Sequence, residues 1–226
     1  MSLFSLSVRG WGRVRLLFSL LCMCVLLVSS CASNQVTNPS VSASGNGRIT
    51  IGTTAKPRTL DPADAYELSS LSLVYNMSDR LYTCAPGSTE LKPELATALP
   101  TVSDDGLTYT IPIREGVLFH DGTKFDAKAM EFSLRRFIEN RGRPSFLLSD
   151  SVDTVKATGD YELTIKLKQP FAAFTSLLAF AGVPAVSPKA YEIGEGKFKP
   201  NKFIGTGPYK LAKYGTDSLI FEVFDK

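Results

Sequence analysis

The sequence predicts a domain of mixed helices and strands, of the α/β or α+β class. Several runs alternate apolar and polar residues and are bounded by Asp-Gly or Gly-Asp pairs, a pattern typical of strands joined by turns. Residues 127–140 instead place apolar side chains at helical spacing. The chain has no internal repeat and no heptads, and the part after residue 47 is long enough for one core or slightly more.

Residues 1–30 have the features of a lipoprotein signal peptide. Three Arg residues precede an apolar run at 16–28, which is too short to span a bilayer comfortably. Small residues follow and lead directly to Cys31, so we expect cleavage before Cys31 and lipid attachment to it. Val28 stands where such signals prefer Leu, so an ordinary secretory signal or a retained single span remains an alternative.

The cysteines and the charges fit an extracytoplasmic protein without a disulfide framework. Cys22 and Cys24 would be removed with the signal peptide. Residues 31–226 would then hold Cys84 and the lipidated Cys31, so we expect no internal disulfide. The signal carries three Arg and no acidic residue, so the mature chain holds equal numbers of basic and acidic side chains. We therefore expect no nucleic-acid partner.

The mature chain is predicted to begin with a flexible tether, which is followed by the start of a folded domain. Residues 31–47 are polar and uncharged, as in a flexible linker. Residues 48–53 alternate as a strand, and Leu60-Asp61-Pro62 makes a turn.

A helix is predicted over residues 68–82. Asp64 and Glu67 have the spacing of a capping box, and Ser69 is an alternative cap. The residues predicted on adjoining turns are Leu71, Tyr75, Ser78 and Tyr82.

The next segment is predicted to form strands at 107–114 and 117–119, with turns at Asp105-Gly106 and Asp121-Gly122. Pro112 has no N–H, so it should lie on an edge or direct its nitrogen away from a partner strand. The side chains predicted to share the apolar face are Leu107, Tyr109, Ile111 and Ile113.

A helix is then predicted over residues 127–140, with Asp126 as its N-cap and Gly142 just past its end. Its apolar stripe should contain Met130, Leu134, Phe137 and Ile138. The elements predicted after it are a hairpin at 152–158 and 161–168, a short helix at 171–180, and strands at 209–213 and 218–224.

The sequence offers little for catalysis. The single His, His120, has no Gly-x-Ser-x-Gly elbow to serve, and we expect it to be a hairpin residue bonded to its own turn. One His and unsuitably spaced cysteines argue against a zinc site. Gly205-Thr206-Gly207 lacks a phosphate-loop pattern, so we interpret it as structural. We expect no enzyme activity, no metal and no cofactor, and a surface hydrolase using His120 is the enzyme alternative.

Four motifs, in this order and spacing, resemble the family 5 extracellular solute-binding proteins of ABC importers, the oligopeptide-, dipeptide- and nickel-binding group. The motifs are TLDP at 59–62, ELKPELATALP at 90–100, SDDGLTYTIPIREGVLFHDGTKFDA at 103–127 and GTGPYKL at 205–211. The third motif is the most specific because it is long.

The resemblance implies a two-lobed periplasmic-binding-protein fold, of which this chain is the N-terminal part. Residues 48–82 would begin the first lobe, 83–200 would form an inserted subdomain, and 201–226 would resume the first lobe. The family is usually more than twice as long, so we expect a truncated chain without its second lobe. Such a chain alone should not bind tri- to pentapeptides below about millimolar, because one lobe cannot offset the cost of association.

The resemblance also implies a ligand contact just after the LDP turn, at Tyr66, Glu67 and Leu68, although Tyr66 and Leu68 could instead simply pack at a helix start. The expected function is a lipid-tethered component that passes peptides to ABC permease subunits at the outer face of the cell membrane. The alternatives are binding of a nickel chelate or another small solute, or a truncated lipoprotein that captures nothing.

Overall fold

The computed structural model of the protein describes residues 47–225. The predicted signal peptide, the predicted lipid site Cys31 and the tether up to residue 46 lie outside the described residues. Residues Thr53–Lys226 form one compact unit. Every helix and strand described below belongs to this unit.

The strand predicted at residues 48–53 is wrong, since these residues form no regular structure. Ile49 is 85% and Ile51 is 83% exposed. Alternation alone cannot make a strand, because a strand needs a neighbour to satisfy its backbone N–H and C=O groups. No strand within residues 47–225 pairs with this segment.

Within residues 53–225 the chain forms four helices and eight strands. The helices are α1 (Leu68–Met77), α2 (Ala127–Glu139), α3 (Phe146–Ser149) and α4 (Phe174–Leu177). The strands are β1 (Tyr82–Cys84), β2 (Leu91–Pro93), β3 (Thr101–Val102), β4 (Thr108–Pro112), β5 (Val152–Gly159), β6 (Glu162–Leu167), β7 (Tyr209–Tyr214) and β8 (Leu219–Val223).

The largest sheet has four antiparallel strands in the order β3-β4-β6-β5. Leu163, Ile165 and Leu167 point inward from β6 and are buried, as their alternation predicts. Helix α2 packs across β5 and β6 and covers this face. The remaining strands form two smaller antiparallel sheets, β1-β2 and β7-β8. The predicted hairpin is confirmed as β5-β6, and the two predicted C-terminal strands are confirmed as β7 and β8.

Pro112 ends β4, which is an inner strand of the sheet. The prediction that Pro112 lies on an edge strand is therefore wrong. The Ile113 N–H donates to the Tyr161 carbonyl at 2.9 Å. Because donors alternate in direction along an antiparallel strand, the Pro112 nitrogen faces away from β6. The Pro112 carbonyl accepts from the Thr97 N–H at 3.0 Å on that other side.

Helix α2 follows its prediction closely. Asp126 Oδ1 accepts from the Ala129 N–H at 2.8 Å, which caps the first turn. Gly142 does not end the helix by adopting a positive φ. Arg141 adopts that conformation instead, with φ of 55°. A Cβ on Gly142 would lie 1.9 Å from the Ala63 carbonyl oxygen, so Gly is needed there for close backbone contact. The predicted stripe is buried at Met130, Leu134 and Phe137, with Ile138 partly buried against the core.

Helix α1 ends five residues before its predicted end. The Ser78 backbone is extended, with φ −141° and ψ 155°, and its hydroxyl donates to the Val74 carbonyl at 2.7 Å. The Gly207 N–H donates to the Met77 carbonyl at 3.1 Å. These two donors satisfy two of the last four carbonyls of α1, those of Val74 and Met77, at the point where the helix ends. The predicted stripe is also displaced, because the buried residues of α1 are Ser70, Val74 and Met77.

Two further elements are shorter than predicted. Residues 117–119 contribute one isolated bridge, Leu118 to Lys124, because the turn at Asp121-Gly122 closes the hairpin at once. Residues 171–180 contain only the four-residue α4, and the turns around it bond i to i+3 instead of i to i+4.

The buried apolar side chains form two clusters. The larger lies between the main sheet and α2 and draws on residues 81–185, among them Ile111, Met130 and Phe174. The smaller surrounds the LDP turn and the inner face of α1. Its buried members are Leu60, Val74, Met77, Val186, Tyr191 and Phe203.

Candidate functional site

A buried ion pair anchors the LDP turn to α2. Asp61 Oδ1 accepts from Arg136 Nη1 at 2.7 Å, and Oδ2 accepts from Nη2 at 2.6 Å. The Ala63 and Lys199 N–H groups donate to the same carboxylate at 3.0 and 2.6 Å. Asp61 is 0% and Arg136 is 1% exposed. Two desolvated charges are tolerated here because each also has further hydrogen bonds.

The remaining donors of Arg136 are directed at backbone carbonyls. Its Nε donates to Glu192 at 3.1 Å, and Nη2 also donates to Lys197 at 3.0 Å. The guanidinium lies 4.5 Å from the centre of the Tyr191 ring. Burial, together with the nearby charge of Asp61, raises the pKa of Tyr191, so its hydroxyl stays protonated. The network holds the LDP turn in one position relative to α2.

The three predicted ligand-contacting residues lie just beyond this anchor, at the start of α1. Tyr66 is 47% and Leu68 is 83% exposed, and Glu67 between them is partly exposed. The Glu67 backbone is extended, with φ −102° and ψ 148°. Leu68 begins α1, and the Glu67 carbonyl accepts from the Ser70 and Leu71 N–H groups at 3.1 and 3.0 Å. The structure therefore brings the three residues together on one accessible strip.

The Glu67 side chain does not cap α1, so the predicted capping box is wrong. Its Oε2 accepts from the Tyr66 N–H and its Oε1 accepts from Arg58 Nε, both at 3.0 Å. Partial burial raises the pKa of Glu67, but the backbone hydrogen bonds and the Arg58 charge lower it by more. The net result is a pKa below the ordinary value, and a carboxylate at neutral pH.

Arg58 pairs with Asp64, which precedes this strip, and with Glu67 within it. Its Nη1 lies 2.6 Å from Asp64 Oδ2, and its Nη2 donates to the Asp64 carbonyl. Asp64 is the other residue of the expected capping box, and it binds Arg58 instead of a helix N–H. The hydrogen bond with Asp64 raises the pKa of Arg58 further. Arg58, Asp64 and Glu67 form a polar rim beside the exposed Tyr66 and Leu68.

Two phenylalanines from distant parts of the sequence contact Tyr66. The centre of its ring lies 5.9 Å from that of Phe146 and 6.3 Å from that of Phe180, both edge to face. Phe146 belongs to α3 and is 45% exposed, and Phe180 follows α4 and is partly exposed. Sequence reasoning missed both, because no local pattern pairs residues so far apart in the chain.

His120 lies at a different junction and does not bond to its own turn as predicted. Its Nε2 lies 3.0 Å from the Gly207 carbonyl oxygen, and the Gly205 N–H donates to its Nδ1 at 3.3 Å. Gly205 and Gly207 also contact the end of α1, where a Cβ on Gly207 would lie 2.2 Å from the Ser78 nitrogen. The structural interpretation of Gly205-Thr206-Gly207 therefore agrees with the contacts of these residues.

Other candidate chemistry is sparse in the part of the chain that the structure describes. No cluster of three or more His, Cys, Asp or Glu side chains there is arranged to hold a metal ion. Cys84 is a free, exposed thiol. Among the same residues, no helix has both the length and the apolar character required to cross a membrane.

The fold and the sequence motifs are those of a solute-binding class of protein, and comparison with known sequences identifies the family. Residues 90–226 match the family model described as bacterial extracellular solute-binding proteins, family 5 middle. The chain belongs to family 5 of the bacterial extracellular solute-binding proteins. This family comprises binding proteins rather than enzymes.

This chain aligns with part of the length of each curated relative. The glutathione-binding protein GsiB of Escherichia coli K12 is 38% identical over 166 residues, which is 72% of this chain and 31% of GsiB. GsiB of Salmonella paratyphi A is 36% identical over 166 residues, which is again 72% of this chain and 31% of that protein. The chain thus spans about a third of the length of these relatives.

Solved structures show the same fold. The periplasmic binding protein DppA of Helicobacter pylori, in complex with the peptide STSA, matches with a TM-score of 0.65 and 25% identity over 75% of this chain and 38% of DppA. NikZ of Campylobacter jejuni, in complex with Ni(L-His), has the same score and identity over 75% of this chain and 34% of NikZ. An ABC transporter substrate-binding protein of Sinorhizobium meliloti scores 0.65 at 32% identity, over 76% of this chain and 34% of its own. The mixed helix and sheet fold is that of the two-lobed periplasmic binding proteins.

Proposed function

We propose that this chain belongs to the solute-binding component of an ABC importer, and that its solutes are peptides. The observation that carries the proposal is the 38% identity with a protein named for binding glutathione, itself a tripeptide. The shared fold with DppA bound to the peptide STSA supports the same class of solute. The partners would be the permease subunits of the importer.

In this proposal, residues 66–68 contact the main chain of the peptide. Support comes from the extended backbone at Glu67 and from the exposure of Tyr66 and Leu68. The buried Asp61–Arg136 pair fixes the turn that precedes this segment. A segment held in place before binding loses less conformational entropy when the peptide docks.

We also propose that residues 48–82 and 201–226 belong to one lobe, and residues 83–200 to an inserted subdomain. The two apolar clusters support this division in part, since nearly all buried members of the larger lie within residues 83–185, although Leu81 and Tyr82 also belong to it and Ile204 packs against it. The smaller cluster joins Leu60, α1 and Phe203, which are far apart in sequence.

The remaining part of the proposal concerns location. Cys31 would carry the lipid after removal of residues 1–30, and residues 31–47 would tether the domain to the outer face of the cell membrane. Support comes from the Arg-rich start, the apolar run at 16–28 and the small residues before Cys31.

A nickel chelate is the second candidate solute. It is favoured by the shared fold with NikZ, whose structure contains Ni(L-His). A chelated ion brings its own ligands, so such a solute would not require a cluster of metal-binding side chains in this chain.

The test is calorimetric titration of the whole natural protein, purified from the cell that makes it, with tripeptides and separately with Ni(L-His). We expect saturable one-to-one binding of peptides by the whole protein and no heat from Ni(L-His), whereas residues 48–226 alone should not bind tripeptides below about millimolar. Saturation by Ni(L-His) without peptide binding would favour the second candidate. If neither the tripeptides nor Ni(L-His) bind, both candidate functions are contradicted.

A further inference from the structure

We propose that Tyr66, Phe146 and Phe180 form an apolar subsite that receives an apolar or aromatic side chain of the bound peptide. These three residues are called the aromatic cluster below. The inference rests on the proposed peptide-binding function, and it adds a preference among peptides that the family assignment does not contain.

The aromatic cluster is assembled at the surface from three separate segments. Tyr66 precedes α1, Phe146 begins α3 and Phe180 follows α4. Both ring contacts are edge to face, at 5.9 and 6.3 Å between ring centres. Such pairs stabilise their arrangement beyond the contribution of the area they bury.

Packing within the chain does not use all the apolar surface of the aromatic cluster. Tyr66 is 47% and Phe146 is 45% exposed, whereas Phe119, Phe125 and Phe174 in the core are 0–1% exposed. Leu68, at 83% exposure, lies two positions from Tyr66. Apolar surface rimmed by polar groups marks a contact site, and Arg58, Asp64 and Glu67 provide that rim.

The rings are held in place before any ligand arrives. A Cβ on Gly182 would lie 2.6 Å from Phe180 Cε1, so this ring lies directly against the backbone at residue 182. Glu67 accepts the backbone N–H of Tyr66 at 3.0 Å, and Leu148, two residues after Phe146, is buried in the core. A rigid aromatic wall favours binding because little side-chain entropy is lost on contact.

The occupant follows from the neighbouring strip. If an extended peptide lies along residues 66–68, its alternate side chains project to one side, and the exposed Tyr66 ring lies beside that path. A side chain at that position would lie against the aromatic cluster. The chemistry of the cluster is wholly apolar apart from the Tyr66 hydroxyl, so an aromatic or large aliphatic side chain fits best.

The sequence provides a convenient optical test, because Trp11 in the predicted signal peptide is the only Trp. Residues 31–226 contain no Trp, and the emission of the protein measured without peptide is subtracted, so the difference reports on Ala-Trp-Ala. The protein purified from its own membrane is titrated with Ala-Trp-Ala by emission, and with Ala-Ser-Ala by calorimetry. The variant is Phe146→Ser. Phe171→Ser is the control, since Phe171 is 38% exposed and makes no ring contact with Tyr66 among the described residues.

We expect the wild type and F171S to bind Ala-Trp-Ala about tenfold or more tightly than Ala-Ser-Ala, with a blue shift of the Trp emission. This preference corresponds to about 1.4 kcal/mol. F146S should lower the ratio of the two affinities toward one and remove most of the blue shift. Melting temperatures of all three proteins show whether each variant remains folded, and Phe146→Leu repeats the test with a smaller change.

Two results would overturn the subsite separately from the function. If both peptides bind and F146S leaves their ratio at the wild-type value, the aromatic cluster does not contact the peptide side chain. If F146S lowers only the melting temperature, the cluster has a purely structural role. If neither peptide binds to the wild type, the peptide-binding function itself is wrong, and the subsite is rejected with it.

Discussion

At the scale of single residues, the buried Asp61–Arg136 pair is the contact most sensitive to substitution. Arg136→Met should destabilise the fold by about 3–5 kcal/mol, because it leaves the Asp61 carboxylate buried without its partner. Arg135→Met on the same helix is the matched control. Arg135 is 46% exposed in its side chain and pairs with Glu131 and Glu139, so its loss should cost at most about 1 kcal/mol.

Urea unfolding followed by circular dichroism measures both values. Equal effects of R136M and R135M would contradict the importance assigned to the buried pair. A near-neutral R136M would show that Asp61 finds other partners when the guanidinium is removed.

Asp121 gives the protein a specific pH dependence. Partial burial raises its pKa, but hydrogen bonds from Ser187 and Thr123, together with the charge of Lys189, lower it by more. The folded pKa is therefore below the unfolded value of about 3.9. The resulting stability is present above the unfolded pKa and is lost as pH falls through the folded pKa.

Asp121→Asn should lower the free energy of unfolding at about pH 6 and flatten its decline toward about pH 3. Urea titrations across this range test the expectation, with Asp104→Asn in an exposed turn as the charge control. A variant with the wild-type acid profile would show that Asp121 does not contribute to the pH dependence.

Single residues were predictable where one local rule decides the outcome. The Asp126 cap and the positive φ of Gly122, at 78°, follow from spacing and turn chemistry alone. The partners of His120 and Tyr66 could not be predicted, because they depend on which distant segments the fold brings together.

At the scale of secondary-structure elements, two glycines limit substitution for different physical reasons. Gly122→Val should cost about 1–2 kcal/mol through its positive φ alone. Space is not the restriction there, since no atom lies within 4 Å of the position that a Cβ would take. Gly207→Ala should disturb the junction between α1 and β7, because its Cβ would lie 2.2 Å from the Ser78 nitrogen.

Thermal unfolding of the two variants measures these effects, and Gly52→Ala is the control because its position has neither restriction. The turn assignment would be contradicted by an unchanged melting temperature for G122V. The junction would be contradicted if G207A behaved like G52A.

Element types were predicted better than element lengths. Helix α2 and the β5–β6 hairpin have strong periodicity and bury one face, so sequence and structure agree. Helix α1 ends early, where the Ser78 hydroxyl and the Gly207 N–H donate to the Val74 and Met77 carbonyls. The strand expected at 48–53 lacks a partner among the described residues, which alternation alone cannot reveal. The strip at 66–68 was expected from family resemblance, whereas Phe146 and Phe180 required the fold.

At the scale of the whole molecule, lipid attachment at Cys31 should decide where the protein is found. Cys31→Ala should release the protein from the membrane fraction or leave the signal peptide uncleaved, because firm anchoring requires more than one acyl chain on the processed cysteine. Fractionation, together with mass spectrometry of the mature N-terminus, provides the measurement. An unmodified N-terminus at a residue other than Cys31 would reject the tether.

The central claim is that a peptide contacts the accessible strip at residues 66–68, and hydrogen exchange with and without a saturating tripeptide tests it most directly. Exchange of backbone amides is followed by mass spectrometry on the protein purified from its own membrane. We predict slower exchange in the segment 66–71 and no change at the remote Gly159-Asp160 turn of the β5–β6 hairpin. Saturable peptide binding with unchanged exchange across 66–71 would contradict the claim.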